Sequence, residues 1–131
     1  MLYIVANVTK NTVLAKKAKV ARSFFERLKG LIGKRYMEPD EALIFYHCSS
    51  VHTFFMRFPI DVVFLNKQME VIKFYKSFFP CKISRVVLNS YMAIEFCAGT
   101  LDKTYTAIGD VLKIEGYKNA DLSNASFEAA T

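Results

Sequence analysis

The chain has 131 residues, of which 53% are hydrophobic and 15% aromatic, and its formal net charge is +6. This composition excludes general disorder, because a chain so rich in apolar side chains can bury a core. No apolar run approaches the roughly 18 residues that cross a membrane, and the N-terminus lacks the pattern of a signal peptide. We therefore expect a basic, cytoplasmic protein with no membrane partner, with one β domain at residues 1–117 and a flexible tail at residues 118–131.

The first predicted elements are two strands and a helix. Residues 3–10 (YIVANVTK) and 13–20 (VLAKKAKV) have the composition and alternation of strands, with a turn between them. Ser23 and Glu26 form a capping box, in which each side chain accepts a hydrogen bond from the first helical turn. Apolar residues then recur at intervals of three and four. This spacing predicts one short amphipathic helix near residues 23–32.

The rest of the chain reads as strand after strand. The predicted strands span residues 42–48, 51–56, 60–65, 69–75, 91–97 and 111–115, with turn residues between most of them. Long helices do not alternate with these strands, which argues against an α/β fold. The pattern predicts a mainly β protein, a compact antiparallel β-sandwich or small barrel of about seven to eight strands.

The basic charge is concentrated in the first quarter of the chain. Residues 1–35 contain nine Lys or Arg and one acid, a net charge of +8, whereas the remainder has a net charge of −2. Such a face can attract phosphate backbones, and Arg27, Lys34 and Arg35 are the predicted anion contacts. Lysines on a strand are also a common protection of a sheet edge. We favour a solvated face over a nucleic-acid site.

The three cysteines, Cys48, Cys81 and Cys97, are an odd number and lie far apart in the sequence. They are interpreted as small buried hydrophobes rather than as a disulfide framework. Cys48 and His52 could form a zinc or thiolate pair, but no second such pair accompanies them. We predict no metal and no cofactor.

The central segment, residues 52–65 (HTFFMRFPIDVVFL), contains the most unusual arrangement of polar groups. Asp61 follows a proline and lies among apolar residues, so an ionised carboxylate there needs a partner or backbone donors. It is interpreted as a structural group in preference to a site carboxylate, and with Glu95 it could alternatively form an acid–base pair. If a binding cleft exists, these residues are its predicted lining: His52, Met56, Arg57, Asp61 and Glu95.

Three blocks in order resemble the prokaryotic family called domain of unknown function 192. They are residues 21–35 (ARSFFERLKGLIGKR), residues 52–65, and residues 93–110 (AIEFCAGTLDKTYTAIGD), and the likeness extends from about residue 3 to 116. Many members carry a tryptophan before the methionine of the second block, whereas this chain has none. The resemblance implies a compact β fold with one early helix. It implies no activity, because none is established for the family.

Three functional hypotheses follow. The first is a binding module for an unknown small molecule or peptide, acting as a monomer or weak homo-oligomer. The second is a hydrolase or lyase that uses Asp61, His52 or Glu95 as acid or base. The third is an accessory that docks on nucleic acid through the basic first quarter. We rank the binding module first.

Overall fold

A computed structural model describes residues 1–21, 37–51, 57–79 and 82–117. Within them lie seven strands and one four-residue helix. In chain order these are β1 (Leu2–Asn7), β2 (Thr12–Val20), β3 (Glu41–Tyr46), β4 (Ile60–Leu65), β5 (Val71–Phe78), β6 (Met92–Cys97), α1 (Thr100–Lys103) and β7 (Leu112–Tyr117). The protein is mainly β, as the sequence predicts. The predicted helix near residues 23–32, most of the predicted strand at 51–56 and the predicted tail at 118–131 lie outside the described residues.

All seven strands join one sheet, in the order β5-β4-β6-β3-β2-β1-β7. Neighbouring strands are antiparallel except β2 and β3, which pair in parallel, with Lys17 opposite Glu41 and Val20 opposite Ile44. The sheet is therefore mixed, with one parallel pair in an arrangement that the sequence predicts to be antiparallel. Parallel neighbours need a long crossover connection, and the segment from residue 21 to residue 40 supplies it.

The two edge strands of the sheet, β5 and β7, contact each other where they begin but are not paired along their length. An isolated bridge links Glu70 and Val111, and the Val71 N–H donates to the carbonyl oxygen of Asp110 across 2.8 Å. These residues lie at the starts of β5 and β7, the two outermost strands, which are not paired beyond this point. The fold is a compact curled sheet and not a closed barrel.

The sheet carries a hydrophobic cluster on each face. The first cluster receives side chains from all seven strands and α1, among them Val5, Leu14, Ile44, Val63, Val71, Ile94, Phe96, Leu101 and Leu112. The second comprises Met37, Val51, Phe58, Ile60, Val62, Phe64 and Ala93. Because both faces are covered, β4 is buried at every position, and β6 is buried at all but its last. These two strands place Asp61 and Glu95 at the centre of the sheet.

Candidate functional site

Asp61 holds the start of helix α1. Its Oδ2 accepts hydrogen bonds from the Gly99 N–H at 3.1 Å and the Leu101 N–H at 2.9 Å, and its Oδ1 accepts one from the Ser77 N–H at 2.8 Å. The side chain is 1% exposed. A carboxylate in this position satisfies backbone donors that the first turn of a helix leaves without partners. These three bonds join β4, β5 and α1. The role of Asp61 in the described structure is therefore to hold these elements together.

The side chain of Glu95 lies on the opposite face of the sheet from that of Asp61. It is opposite Val62 on β4 and Leu43 on β3, and its exposed fraction is 0%. Asp61 is opposite Phe96, one position further along β6. Because side chains alternate between faces along a strand, Glu95 points toward the second cluster and Asp61 toward the first.

The structure therefore does not bring Asp61 and Glu95, two of the predicted lining residues, into one cleft. Asp61 and Glu95 are separated by the sheet, so the acid–base pair predicted for them is not formed. Arg57 is exposed just before β4. His52 and Met56, together with the predicted anion contacts Arg27, Lys34 and Arg35, lie outside the described residues.

The described part of the basic first quarter has acidic neighbours. Lys16, Lys17 and Lys19 are exposed on β2. Glu41 is opposite Lys17 in the parallel pair with β3, and the Lys17 N–H donates to the carbonyl oxygen of Asp40 at 2.8 Å. Opposite charges side by side weaken the field that would draw a polyanion to this strand.

A buried polar network ties the loop before β7 to the hairpin of β1 and β2. The Asn7 side-chain amide donates to Asp110 Oδ2 at 2.9 Å and to Thr106 Oγ1 at 3.2 Å. Lys10 forms an ion pair with Asp110, with 3.0 Å between Nζ and Oδ2, and the Ala107 N–H donates to the same oxygen. Burial acts to raise the pKa of Asp110, but the bonds from Asn7, Ala107 and Lys10 outweigh it and hold that pKa below its usual value.

The cysteines within the described residues show no sign of activation. Cys97 is half-buried, and burial is the main cause that raises the pKa of its thiol. The Cys48 thiol donates to the carbonyl oxygen of Ser50 at 3.1 Å. Among the described residues no three His, Cys, Asp or Glu side chains are grouped so that they could hold a metal ion.

An open cleft of about 540 Å³ lies where three turns meet at one end of the sheet. It is lined by His47 after β3, by the turn between β4 and β5, and by the segment before β6. The lining residues are His47, Asn66, Lys67, Gln68, Asn89, Ser90 and Tyr91. None of these described lining residues is acidic, and most of their side chains can donate hydrogen bonds.

Backbone bonds connect the three turns around this cleft. The His47 N–H donates to the carbonyl oxygen of Tyr91 at 2.7 Å, and the two rings meet edge to face with centroids 5.1 Å apart. The Tyr91 N–H donates to the carbonyl oxygen of Leu65. Asn66 Oδ1 accepts from the N–H groups of Gln68 and Glu70, at 3.0 and 2.9 Å. The walls of the cleft are therefore fixed before any ligand arrives.

The sequence-based prediction missed this cleft. Positive φ angles at His47 and Asn89, of 53° and 66°, turn the chain at two of its walls. The asparagines at positions 66 and 89 did indicate turns. Nothing local in the sequence indicates that turns so far apart along the chain meet in space.

No helix within the described residues has the length and apolar character needed to cross a bilayer.

Comparison with known proteins identifies the family. The chain matches the DUF192 family, described as "Uncharacterized ACR", over residues 5–114. The chain belongs to the DUF192 family. It is similar to a UPF0127 protein of Thermococcus sibiricus, with 32% identity over 117 residues that cover 83% of this chain and 73% of that protein.

Two solved structures share the fold of this DUF192 chain. A protein of unknown function from Novosphingobium aromaticivorans superposes with a TM-score of 0.72 at 16% identity, covering 84% of this chain and 83% of that one. A Sinorhizobium meliloti protein, whose name proposes a transcription regulator, gives a TM-score of 0.66 at 21% identity, covering 85% and 90%. At these identities the likeness shows the fold alone. The family and these relatives support no specific function.

Proposed function

We propose that this DUF192 chain is a binding module for a small, oxygen-rich anion, a carboxylate or phosphate compound, which it holds in the cleft at His47, Lys67 and Tyr91. The observation that carries the proposal is the composition of the cleft. One ammonium, one imidazole and three carboxamides surround a cleft of about 540 Å³, and no described residue of its lining is acidic. A volume of this size is typical of small-molecule sites.

The chemistry of the lining favours an anion over a cation or an apolar ligand. Lys67, Gln68 and Asn89 are exposed at the cleft, so their N–H groups can reach a ligand at little desolvation cost. Charge-assisted hydrogen bonds from an ammonium to a carboxylate or phosphate are about twice as strong as neutral ones. A cation would find no carboxylate among the described lining residues.

The fixed backbone of the cleft supports binding more than catalysis. The Ser90 hydroxyl is engaged by the carbonyl oxygen of Cys48 at 2.6 Å, and one Asn66 side-chain oxygen holds its own turn. Because these polar groups are already hydrogen-bonded to the backbone, they hold the walls of the cleft in place. Asp61, the buried carboxylate of β4, caps α1 instead.

Titration of the labelled protein by NMR tests the proposal. Citrate and inorganic phosphate are added at constant ionic strength, with glucose and sodium chloride as neutral and simple-salt controls. We expect saturable shifts confined to the amides of residues 47, 66–68 and 89–91. The Lys67→Ala variant should bind roughly tenfold more weakly.

The matched control is Lys16→Ala, which removes an exposed lysine from β2, a strand that contributes no residue to the described lining of the cleft. It should leave the affinity unchanged. Shifts that are scattered over the surface, that do not saturate, or that are equal in Lys67→Ala and the unsubstituted protein would refute the proposed site.

The proposal includes a cytoplasmic location and a monomer or weak homo-oligomer as the binding species. Cell fractionation and size-exclusion chromatography test these two parts.

A further inference from the structure

Four large apolar side chains project into solvent from one short stretch of chain. Phe79, Ile83, Val86 and Leu88 are 64%, 66%, 68% and 80% exposed, and we call these four residues the apolar ridge. They make up half of the eight exposed large hydrophobic residues in the described part of the chain. Scattered apolar residues on a surface need no explanation, but their concentration in ten residues of sequence indicates an interaction site.

The backbone beneath the ridge is held in place. The Ser84 N–H donates to the carbonyl oxygen of Val51 at 2.8 Å, and the Val51 N–H donates back to Ser84 Oγ at 2.9 Å. The Val87 N–H donates to the carbonyl oxygen of Ser49 at 2.7 Å. Ser84 is buried and Val87 packs against the second cluster. These bonds hold the backbone of the segment that exposes Ile83, Val86 and Leu88.

Positive charge accompanies the ridge. Lys82 and Arg85 are exposed within the same stretch. From residue 71 to residue 94 the sequence contains four basic residues and no acidic one. Exposed apolar side chains beside basic residues, in a stretch of sequence without acidic ones, are the pattern by which peripheral proteins bind membranes rich in anionic lipids.

We infer that the apolar ridge, with Lys82 and Arg85, docks this protein on the surface of an anionic bilayer. Side chains that are 64% to 80% exposed project and do not line a groove, so they need an environment that accepts them without a matching shape. The boundary between headgroups and acyl chains is such an environment. The sequence-based expectation of no membrane partner rested on spanning segments, and a docking ridge needs none.

Vesicle flotation tests the inference on the full chain. One set of vesicles is pure phosphatidylcholine, and the other contains about one third phosphatidylserine. We expect binding to the second set at low salt, little binding to the first, and a steep loss of binding as salt rises. The Arg85→Ala variant should lower the partition coefficient about fivefold, the effect of one basic residue near the surface.

Two double variants separate insertion from simple charge attraction. V86S/L88S removes two ridge side chains and should abolish most of the binding. I108S/Y105S is the matched control, because it removes two exposed apolar residues from another loop, and it should bind as the unsubstituted chain does. Thermal unfolding by circular dichroism confirms that both variants fold, and all four side chains are exposed.

Three outcomes would overturn the inference. They are no flotation with anionic vesicles at low salt, equal flotation of V86S/L88S and the unsubstituted protein, and crosslinking of the ridge to an acidic protein in place of lipid. The Lys67→Ala variant should float normally, since the ridge does not depend on the anion cleft. Loss of vesicle binding would therefore be distinguished from loss of citrate or phosphate binding.

Discussion

The carboxyl groups of Asp61 and Glu95 project from opposite faces of the sheet, although the two residues occupy adjacent positions on neighbouring strands. The register of β4 and β6 sets this arrangement, with Asp61 opposite Phe96 and Val62 opposite Glu95. A shift of one residue in this register would bring the two side chains to the same face. The pairing of the central strands thus decides against a shared acid–base site.

Asp61→Asn is expected to lower the free energy of unfolding by about 2 kcal/mol, and Asp61→Ala by about 3 kcal/mol. Asp61 accepts three backbone hydrogen bonds through two oxygens. Asparagine offers one oxygen and turns an NH₂ group toward a donor, and alanine offers no acceptor. Urea unfolding followed by circular dichroism measures both changes.

Asp102→Asn is the matched control for Asp61. Asp102 lies in α1, the short helix that Asp61 caps, but it is exposed, and its ion pair with Lys76 is a surface contact with 2.7 Å between Nζ and Oδ1. Exposed ion pairs contribute from about 0 to 1 kcal/mol. If Asp61→Asn cost no more than Asp102→Asn, the role of Asp61 in joining β4, β5 and α1 would be disproved.

The strands at the centre of the sheet were predictable from sequence, and their partners were not. The prediction for β4, residues 60–65, matches the observed Ile60–Leu65, because Pro59 and Asn66 delimit a run of apolar residues interrupted only by Asp61. The parallel pairing of β2 with β3 depends on a crossover through residues 21–40, whose local pattern predicts a helix but not which two strands become neighbours.

Local sequence patterns also do not show which distant residues meet, and this explains what the prediction missed around the functional site. The donors to Asp61 lie 16, 38 and 40 residues further along the chain. The cleft joins residues 47, 66–68 and 89–91. Periodicity describes which side chains share a face of one element, whereas these groupings arise from how distant elements pack together.

Asp110→Asn is expected to remove a pH-dependent part of the stability. The pKa of Asp110 is held below its usual value of 3.8. The ionised carboxylate therefore contributes stability in full above that value, and this contribution is lost as the pH falls through the lower pKa of the folded state. At pH 7 the variant should be less stable by about 2 kcal/mol, and the difference should shrink below about pH 4.

Chemical unfolding of both proteins at a series of pH values from neutral to acid measures this difference. Asp40→Asn, at an exposed carboxylate outside the network, is the control, and its difference from the unsubstituted protein should stay small. A difference for Asp110→Asn that stayed constant down to the lowest pH would show that ionisation of Asp110 contributes nothing to stability.

Gly109→Ala is expected to cost about 1 to 2 kcal/mol of stability through the backbone alone. Gly109 has a φ of 91°, and a Cβ built there meets no atom within 4 Å. The cost therefore comes from the left-handed conformation and not from a clash. Gly109→Asn should recover part of it, because asparagine tolerates positive φ better than alanine. Equal unfolding free energies for the two variants would contradict this explanation.

Ile44→Ala and Ile83→Ala should differ sharply in their effect on stability although the substitution is the same. Ile44 is fully buried on β3 within the first cluster, so truncation leaves a cavity and should cost about 3 kcal/mol. Ile83 belongs to the apolar ridge, and its truncation should change the free energy of unfolding by about 0.5 kcal/mol or less. Urea unfolding measures both values. A large cost at Ile83 would mean that the ridge packs against the fold, and its residues would then be core side chains in place of a docking surface.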